Sequence, residues 1–125
     1  MRRRADFLRL RGGLKAVRPA FILQGRPRDA SAPEMPPDVV RLGLTASRKV
    51  GGAVVRNRAR RRLRALGQEL LPAHGRPGWD YVLIARAGSS VSRPFDQLRS
   101  DLRGALDEIH RKADRAERAR EEAAR

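Results

Sequence analysis

A helical repeat of apolar residues runs through the most basic part of the chain. From about Ala53 to Leu71, five apolar side chains fall within an arc of about 80° when residues are placed at 100° intervals: Val55, Ala59, Leu63, Leu66 and Leu70. The opposite side of the same helix carries five polar side chains: Arg56, Asn57, Arg60, Arg61 and Arg64. Such a helix is stable only when its apolar stripe packs on a core, so its arginines must face outward.

The cations of this region have no acidic residues near them in the sequence. Between Asp38 and Glu69 the chain has no Asp or Glu but nine basic residues: Arg41, Arg48, Lys49, Arg56, Arg58, Arg60, Arg61, Arg62 and Arg64. The net charge of the 125 residues is +15, and the last 19 residues are neutral overall, so the first 106 residues carry all of it. Solvated helix faces usually mix both signs of charge. The acid-free stretch therefore favours a polyanionic partner, and forked guanidinium donors suit the phosphates of a folded nucleic acid.

The rest of the chain is typical of a small α+β domain. Besides the basic helix we predict an opening helix, three strands and a last helix, at residues 2–11, 20–24, 39–47, 79–86 and from Ser92 or Pro94 onward. The last helix has its own apolar stripe: Phe95, Leu98, Leu102, Leu106 and Ile109. The order α-β-β-α-β-α indicates helices packed on one small mixed sheet. We expect the first two strands to pair as a hairpin across the proline-rich loop at 26–38.

The length and composition favour one domain and a tail. Residues 1–110 are predicted to form a single RNA-binding α+β domain with one modest core. Residues 111–125 have alanine as their only apolar residue and alternate charges of both signs, so we expect a charged tail that is a solvated or frayed helix. Cysteine is absent, and no stretch is long and apolar enough to span a membrane. We therefore expect a soluble, cytoplasmic protein with no membrane partner.

Catalysis by the chain itself is not expected. A metal-dependent nuclease gathers carboxylates around one or two ions, but the acidic residues before the tail are scattered. His74 and His110 are 36 residues apart, and we interpret both as surface or loop residues. Ser89-Ser90, next to a glycine, indicates a turn. Trp79 and Tyr81 precede a strongly apolar run and are assigned to the core rather than to base stacking.

The basic helix and the strand before it resemble a known family. Residues 41–61 read Arg-Leu-Gly-Leu-Thr-Ala-Ser-Arg-Lys-Val-Gly-Gly-Ala-Val-Val-Arg-Asn-Arg-Ala-Arg-Arg, which resembles the RNR signature of the bacterial ribonuclease P protein subunit. Residues 4–7, 19–23 and 80–86 are similar to the opening helix, the first strand and a later strand of that family. The resemblance covers residues 4–110, and the tail and the loop at 26–38 lie outside it.

The resemblance implies a small basic protein that assists a catalytic RNA in removing the 5′ leader of precursor tRNA. The RNA subunit with its Mg²⁺ ions performs the hydrolysis, so no catalytic residue, metal ligand or organic cofactor is assigned to the protein. The positions that match the family's contacts with the RNA subunit are Arg48, Lys49, Arg56, Asn57, Arg58, Arg60, Arg61 and Arg64. We expect one protein monomer and one RNA subunit in the ribonucleoprotein.

The family also holds the single-stranded leader in a cleft between the opening helix and the sheet. The residues matched to this cleft are Phe7, Arg11, Ile22 and Gln24. Arg11 and Gln24 stand where many members have aromatic residues, so hydrogen bonding or arginine stacking would replace base stacking there. The resemblance further implies a left-handed strand-helix-strand crossover, as in the second domain of ribosomal protein S5, which general handedness rules would not give.

One alternative function stays open at this point. The chain could be a general structured-RNA-binding protein, or a ribosome-associated basic protein, without a role in cleavage. A helix-turn-helix reader of DNA is disfavoured, because that motif needs two helices joined by a short turn, whereas strands are predicted on both sides of the basic helix.

Overall fold

The computed structural model describes residues 13–28 and 39–124. The predicted opening helix and residues 29–38 of the proline-rich loop lie outside the described residues, as do Phe7 and Arg11 of the expected leader cleft. The elements are β1 (Leu14–Val17), β2 (Phe21–Pro27), β3 (Arg41–Thr45), α1 (Ala53–His74), β4 (Trp79–Ala85), α2 (Ser89–Ser92) and α3 (Phe95–Ala123). A 3-10 helical turn at Arg48–Val50 joins β3 to α1. Within these ranges no helix is both long enough and apolar enough to cross a membrane.

The four strands form one mixed sheet in the order β1-β2-β4-β3, which confirms the predicted α+β class. β2 pairs antiparallel with β1 and with β4, whereas β3 pairs parallel with β4. The first two predicted strands correspond to β2 and β3. The hairpin predicted between them is wrong, because β4 lies between them in the sheet. β2 instead forms a tight hairpin with β1, a four-residue strand that the sequence did not reveal, and the amide of Arg18 donates to the carbonyl of Phe21 at 2.9 Å in the turn.

Alternation along the strands gives the sheet a covered face and an outward face. On the covered face Phe21, Leu23, Tyr81 and Leu83 are at most 1% exposed and belong to the main core with residues of α1 and α3. Gly25 lies on the same face, and a Cβ atom there would meet Cδ1 of Ile109 at 2.8 Å. Close packing of α3 on β2 therefore needs glycine at this position.

Both predicted apolar stripes are confirmed except at their first residues, Val55 and Phe95. The buried residues of α1 are Ala59, Leu63, Leu66, Gly67, Leu70 and Leu71, and those of the stripe on α3 are Leu98, Leu102, Ala105, Leu106 and Ile109. Val55, at the start of the first stripe, is 36% exposed. α1 runs three residues beyond its predicted end, to His74, and includes Pro72 in its last turn.

The last helix begins after Pro94, one of its two predicted starts, and continues as a helix through most of the predicted tail. Ser92 closes α2, a single helical turn that stands where Ser89-Ser90 was expected to make a simple turn, and α3 begins after Pro94. α3 then continues without a break past Arg111 to Ala123. Asp114 holds Arg76 through two hydrogen bonds, at 2.8 and 3.0 Å. The first part of the expected tail is therefore helical and fastened to the turn between α1 and β4.

His110 is buried, so its interpretation as a surface or loop residue is wrong. It is 7% exposed and lies four residues after Leu106, at the edge of the α3 stripe. Trp79 and Tyr81, 7% and 0% exposed, are confirmed as core residues and both contact the His110 ring. His74, by contrast, is exposed at the end of α1.

Candidate nucleic-acid interface

α1 presents a row of polar side chains on the side turned away from the core. Asn57, Arg61 and Arg64 are exposed, and Arg56 and Arg60 are partly exposed. Oδ1 of Asn57 accepts a hydrogen bond from Nη1 of Arg60 at 3.3 Å. Because the buried stripe fixes the rotation of α1 about its axis, the five side chains that the helical period groups together do lie on one exposed surface.

The cations from Arg48 to Arg64 have no carboxylate partner within the described chain. Seven ion pairs between described residues occupy five carboxylates: Glu69, Asp80, Asp101, Glu108 and Asp114. None of the eight Lys and Arg side chains at positions 48–64 takes part in these pairs. The carboxylates thus neutralise cations that support the fold, and the charge of α1 and of the turn before it stays uncompensated.

The 3-10 turn places two further cations at the amino end of α1. Arg48 and Lys49 are exposed, whereas Val50 between them and the helix is buried. The turn closes through the amide of Gly51, which donates to the carbonyl of Arg48 at 3.2 Å. Gly51 has φ +150°, and a Cβ atom there would lie 2.9 Å from Cβ of Val55. A glycine is therefore required where the chain turns from β3 into α1.

The amino end of α1 adds to the positive potential of these side chains. Its N-cap is Gly52, which offers no side-chain oxygen, and its first turn contains no acidic residue. The peptide dipoles of a helix leave a partial positive charge at this end. In most helices a carboxylate or hydroxyl offsets that charge, so here the helix end and the neighbouring arginines favour the same kind of partner, an anion.

Arg58 and Arg62 flank the buried stripe, and the structure separates their roles. Arg58 is exposed, as are Arg61 and Arg64. Arg62 donates from Nη1 to the carbonyl of Ser90 at 3.1 Å and from Nη2 to the carbonyl of Arg93. Arg93 is in turn held by Asp101, with Nε 2.6 Å from Oδ2. Arg62 thus fastens α1 to the segment between α2 and α3, a role that its position in the sequence did not reveal.

The outward face of the sheet carries the two described residues of the expected leader cleft. In the β2–β4 ladder Ile22 pairs with Ile84 and Gln24 with Val82, so these four side chains lie on the face opposite the main core. Ile22, Gln24 and Ile84 are partly exposed. Lys15 stands next to Gln24 in the β1–β2 ladder and is exposed. Next to the apolar residues of this face, the Gln24 carboxamide and the Lys15 ammonium group lie side by side.

At the end of this face, the buried carboxylate of Asp80 binds two arginines, Arg28 and Arg41. Oδ1 of Asp80, a residue 4% exposed, accepts hydrogen bonds from Nη1 of Arg28 at 2.6 Å and from Nε of Arg41 at 2.7 Å. Burial by itself would raise the pKa of Asp80, but the hydrogen bonds from Arg41 and Arg28 outweigh it and hold the pKa below its ordinary value. Arg28 also donates to the carbonyl of Val39. Asp80 therefore ties both flanks of residues 29–38 to β4.

An α+β domain with an uncompensated row of guanidinium groups on one helix defines a basic protein that binds nucleic acid. The sequence profile of the Ribonuclease P family matches residues 1–110. The chain is 48% identical over 110 residues to the ribonuclease P protein component of Ruegeria pomeroyi, a match that covers 88% of this chain and 85% of the relative. It is 44% identical over 110 residues to that of Paramagnetospirillum magneticum, covering 87% of this chain and 80% of the relative.

The fold is likewise similar to solved ribonuclease P proteins. The protein from Thermotoga maritima superposes with a TM-score of 0.67 at 28% identity, covering 89% of this chain and 94% of the other. The protein from Staphylococcus aureus gives a TM-score of 0.65 at 26% identity, covering 86% and 91%. The chain therefore belongs to the ribonuclease P protein family, as the resemblance in residues 41–61 predicted. It is an RNA-binding component of a tRNA-processing endoribonuclease whose catalytic RNA is a separate molecule.

Proposed function

We propose that the chain binds the RNA subunit of ribonuclease P through the outward face of α1 and the Arg48–Val50 turn, and that it assists removal of the 5′ leader from precursor tRNA. The observation that carries this proposal is the set of seven cations at positions 48–64, Arg62 apart, that no described carboxylate neutralises. One guanidinium group can donate two parallel hydrogen bonds to the oxygens of one phosphate, and each phosphate that is bound releases condensed counterions from the RNA.

The residues assigned to the RNA subunit are those that face outward from α1 and the turn. They are Arg48, Lys49, Arg56, Asn57, Arg58, Arg60, Arg61 and Arg64. Arg62 is left out, because both of its guanidinium amino groups donate to carbonyls of the protein. A rigid helix holds these donors at fixed spacing, which suits a folded RNA whose phosphates are also fixed in space.

The leader is assigned to the outward face of the sheet, next to Ile22 and Gln24. Ile22 with its ladder partner Ile84 offers apolar area to bases, and the Gln24 carboxamide offers one acceptor and two donors to base edges. Phe7 and Arg11 of the opening segment are proposed to complete this cleft. Recognition at position 24 would then rest on hydrogen bonding and not on stacking.

The hydrolysis is assigned to the RNA subunit, with Mg²⁺ held by the RNA and the substrate. Within residues 13–28 and 39–124, no three acidic or histidine side chains come together as ligands for a metal ion. The protein contributes electrostatically, because its cations reduce the repulsion between the RNA subunit and precursor tRNA. We place the ribonucleoprotein, as one protein monomer and one RNA, in the cytoplasm.

Reconstitution with the cognate RNA subunit tests the proposal. The purified protein should stimulate cleavage of precursor tRNA at a Mg²⁺ concentration at which the RNA alone is slow. The double variant R60A/R64A should need more protein for the same stimulation, while the matched control R103A/R115A, which removes the same charge from exposed sites on α3, should behave like the wild type. If both variants lost stimulation to the same extent, the assignment of α1 to the interface would be refuted.

The same assay decides between the two functions left open by the sequence. A general structured-RNA-binding protein would bind unrelated folded RNAs with comparable affinity and leave the cleavage rate unchanged. The leader assignment has its own test, since Q24A should weaken binding of precursor tRNA and leave binding of mature tRNA unchanged. A loss of the same size for both RNAs would contradict that assignment.

A further inference from the structure

An apolar side chain lies beside the exposed polar row of α1. Val54 is 82% exposed, which makes it the most exposed of the large apolar side chains in the described part of the chain. It lines a surface concavity of about 610 Å³ together with Asn57, Arg60, Arg61 and Arg64. At 100° per residue these five positions fall within an arc of about 120°. The concavity is therefore built by one exposed face of one helix.

The chemistry of this lining goes beyond what phosphate binding requires. Guanidinium groups alone would suffice for phosphates, and an exposed valine adds nothing to such contacts. The lining instead combines an apolar side chain, a carboxamide and three guanidinium groups. In a nucleotide, the apolar side chain would contact the base or ribose, the carboxamide the edge of the base, and the guanidinium groups the phosphates. Proteins recognise folded RNA mainly at unpaired nucleotides, whose bases are free to be contacted.

We propose that this concavity receives an unpaired nucleotide of the RNA subunit, whose base or ribose packs on Val54. The inference rests on the proposed function, because it takes the outward face of α1 as the interface. The guanidinium groups of Arg60, Arg61 and Arg64 hold the phosphates on either side, and the uncompensated charge of these groups favours RNA as the occupant. Val54 then selects where on the RNA the helix binds, and the arginines supply most of the affinity.

The test is equilibrium binding of the full-length protein to the RNA subunit alone, measured over a series of salt concentrations. V54A should bind about fivefold more weakly, because it removes two methyl groups from the contact, and V54T should also be weaker. V54I should bind like the wild type. The salt dependence should be the same for all three variants, since no phosphate contact is lost. V17T is the matched control, because Val17 is an exposed valine on β1, 57% exposed.

A second measurement locates the nucleotide. Chemical probing of the RNA subunit should show one unpaired nucleotide that the wild-type protein protects and that V54T leaves reactive. These substitutions change an exposed position and Val and Thr have similar helix propensities, so thermal melting should show the fold intact.

The outcomes separate this inference from the proposed function. If V54A and V54T bind like the wild type while R60A binds more weakly, the contact with Val54 is refuted and the α1 interface stands. If R60A also binds like the wild type, the α1 interface itself is refuted. If V54T lowers the salt dependence, Val54 acts by positioning arginines, and the packing of a nucleotide on Val54 is refuted.

Discussion

The phenol oxygen of Tyr81 lies 2.7 Å from Nε2 of His110 in the interior of the protein and joins β4 to α3. The same oxygen accepts a hydrogen bond from the backbone amide of Arg76 at 2.8 Å. With that amide as one donor to the phenol oxygen, the neutral His110 ring can accept a hydrogen bond from the Tyr81 hydroxyl at Nε2. Burial raises the pKa of Tyr81 to about 12, so the hydroxyl keeps its proton at neutral pH.

His110 predicts a loss of stability in mild acid. Burial, reinforced by the nearby charge of Arg76, lowers the pKa of His110 from 6.5 to about 4. The unfolded chain therefore binds a proton at this residue at a higher pH than the folded protein does. The free energy of unfolding is therefore unaffected by His110 protonation above pH 6.5. As the pH falls from 6.5 to 4, it decreases by about 3 kcal/mol in all. H110Q, which keeps an acceptor for Tyr81, should flatten the free energy of unfolding between these two pH values, measured in urea.

His74 provides the control for this measurement. It is exposed at the end of α1, so H74Q makes the same histidine-to-glutamine change outside the core. A wild-type free energy of unfolding that is constant between pH 6.5 and 4 would contradict the assignment to His110.

Arg60 should contribute to the salt dependence of RNA binding. With about five phosphate contacts, the logarithm of the affinity should fall with the logarithm of the salt concentration with a slope of about −3.5 to −4.5, and R60A should reduce the slope by about 0.7–0.9. Equilibrium binding to the RNA subunit at several salt concentrations measures both values. R103A removes an exposed cation of α3 and should leave the slope unchanged; a change of the same size in both variants would show that the effect is one of net charge.

Arg62 should affect stability and leave RNA binding unchanged. R62A removes the donors to the carbonyls of Ser90 and Arg93, which should lower the free energy of unfolding by about 1–3 kcal/mol. Its salt slope for RNA binding, measured at a temperature where the variant is folded, should equal that of the wild type. A slope reduced as in R60A would instead place Arg62 at the RNA.

Much of the site could be predicted because it depends on one helix. The period of Ala59, Leu63 and Leu66 fixes which side of α1 is buried, and the exposed arginines follow from that without knowledge of the rest of the fold. The buried run of β4 and the stripe of α3 were found by the same reasoning. These features are local, since a few turns of helix or one strand determine them.

The features that escaped prediction depend on distant parts of the chain. β3 pairs with β4 across the whole of α1, so no turn signal between them marks the pairing. β1 has four residues and alternates Lys15 with apolar neighbours, a pattern too short to distinguish from a loop. The burial of His110 depends on Tyr81, 29 residues away. The spacing of His110 from Leu106 was the one local signal that could have revealed its burial.

Asp80 should be the most sensitive carboxylate of the described chain. D80N removes the charge on which Arg28 and Arg41 converge, at a position 4% exposed. Removing one member of a buried ion pair typically costs about 3–5 kcal/mol. We therefore expect a loss of that size in the free energy of unfolding, measured in urea at neutral pH. The matched control is D114N, because the side chains of Asp114 and Arg76 are 47% and 39% exposed and an exposed ion pair contributes little to stability. Equal losses in the two variants would show that burial does not set the strength of the Asp80 cluster, and that its arginines find solvent when the carboxylate is removed.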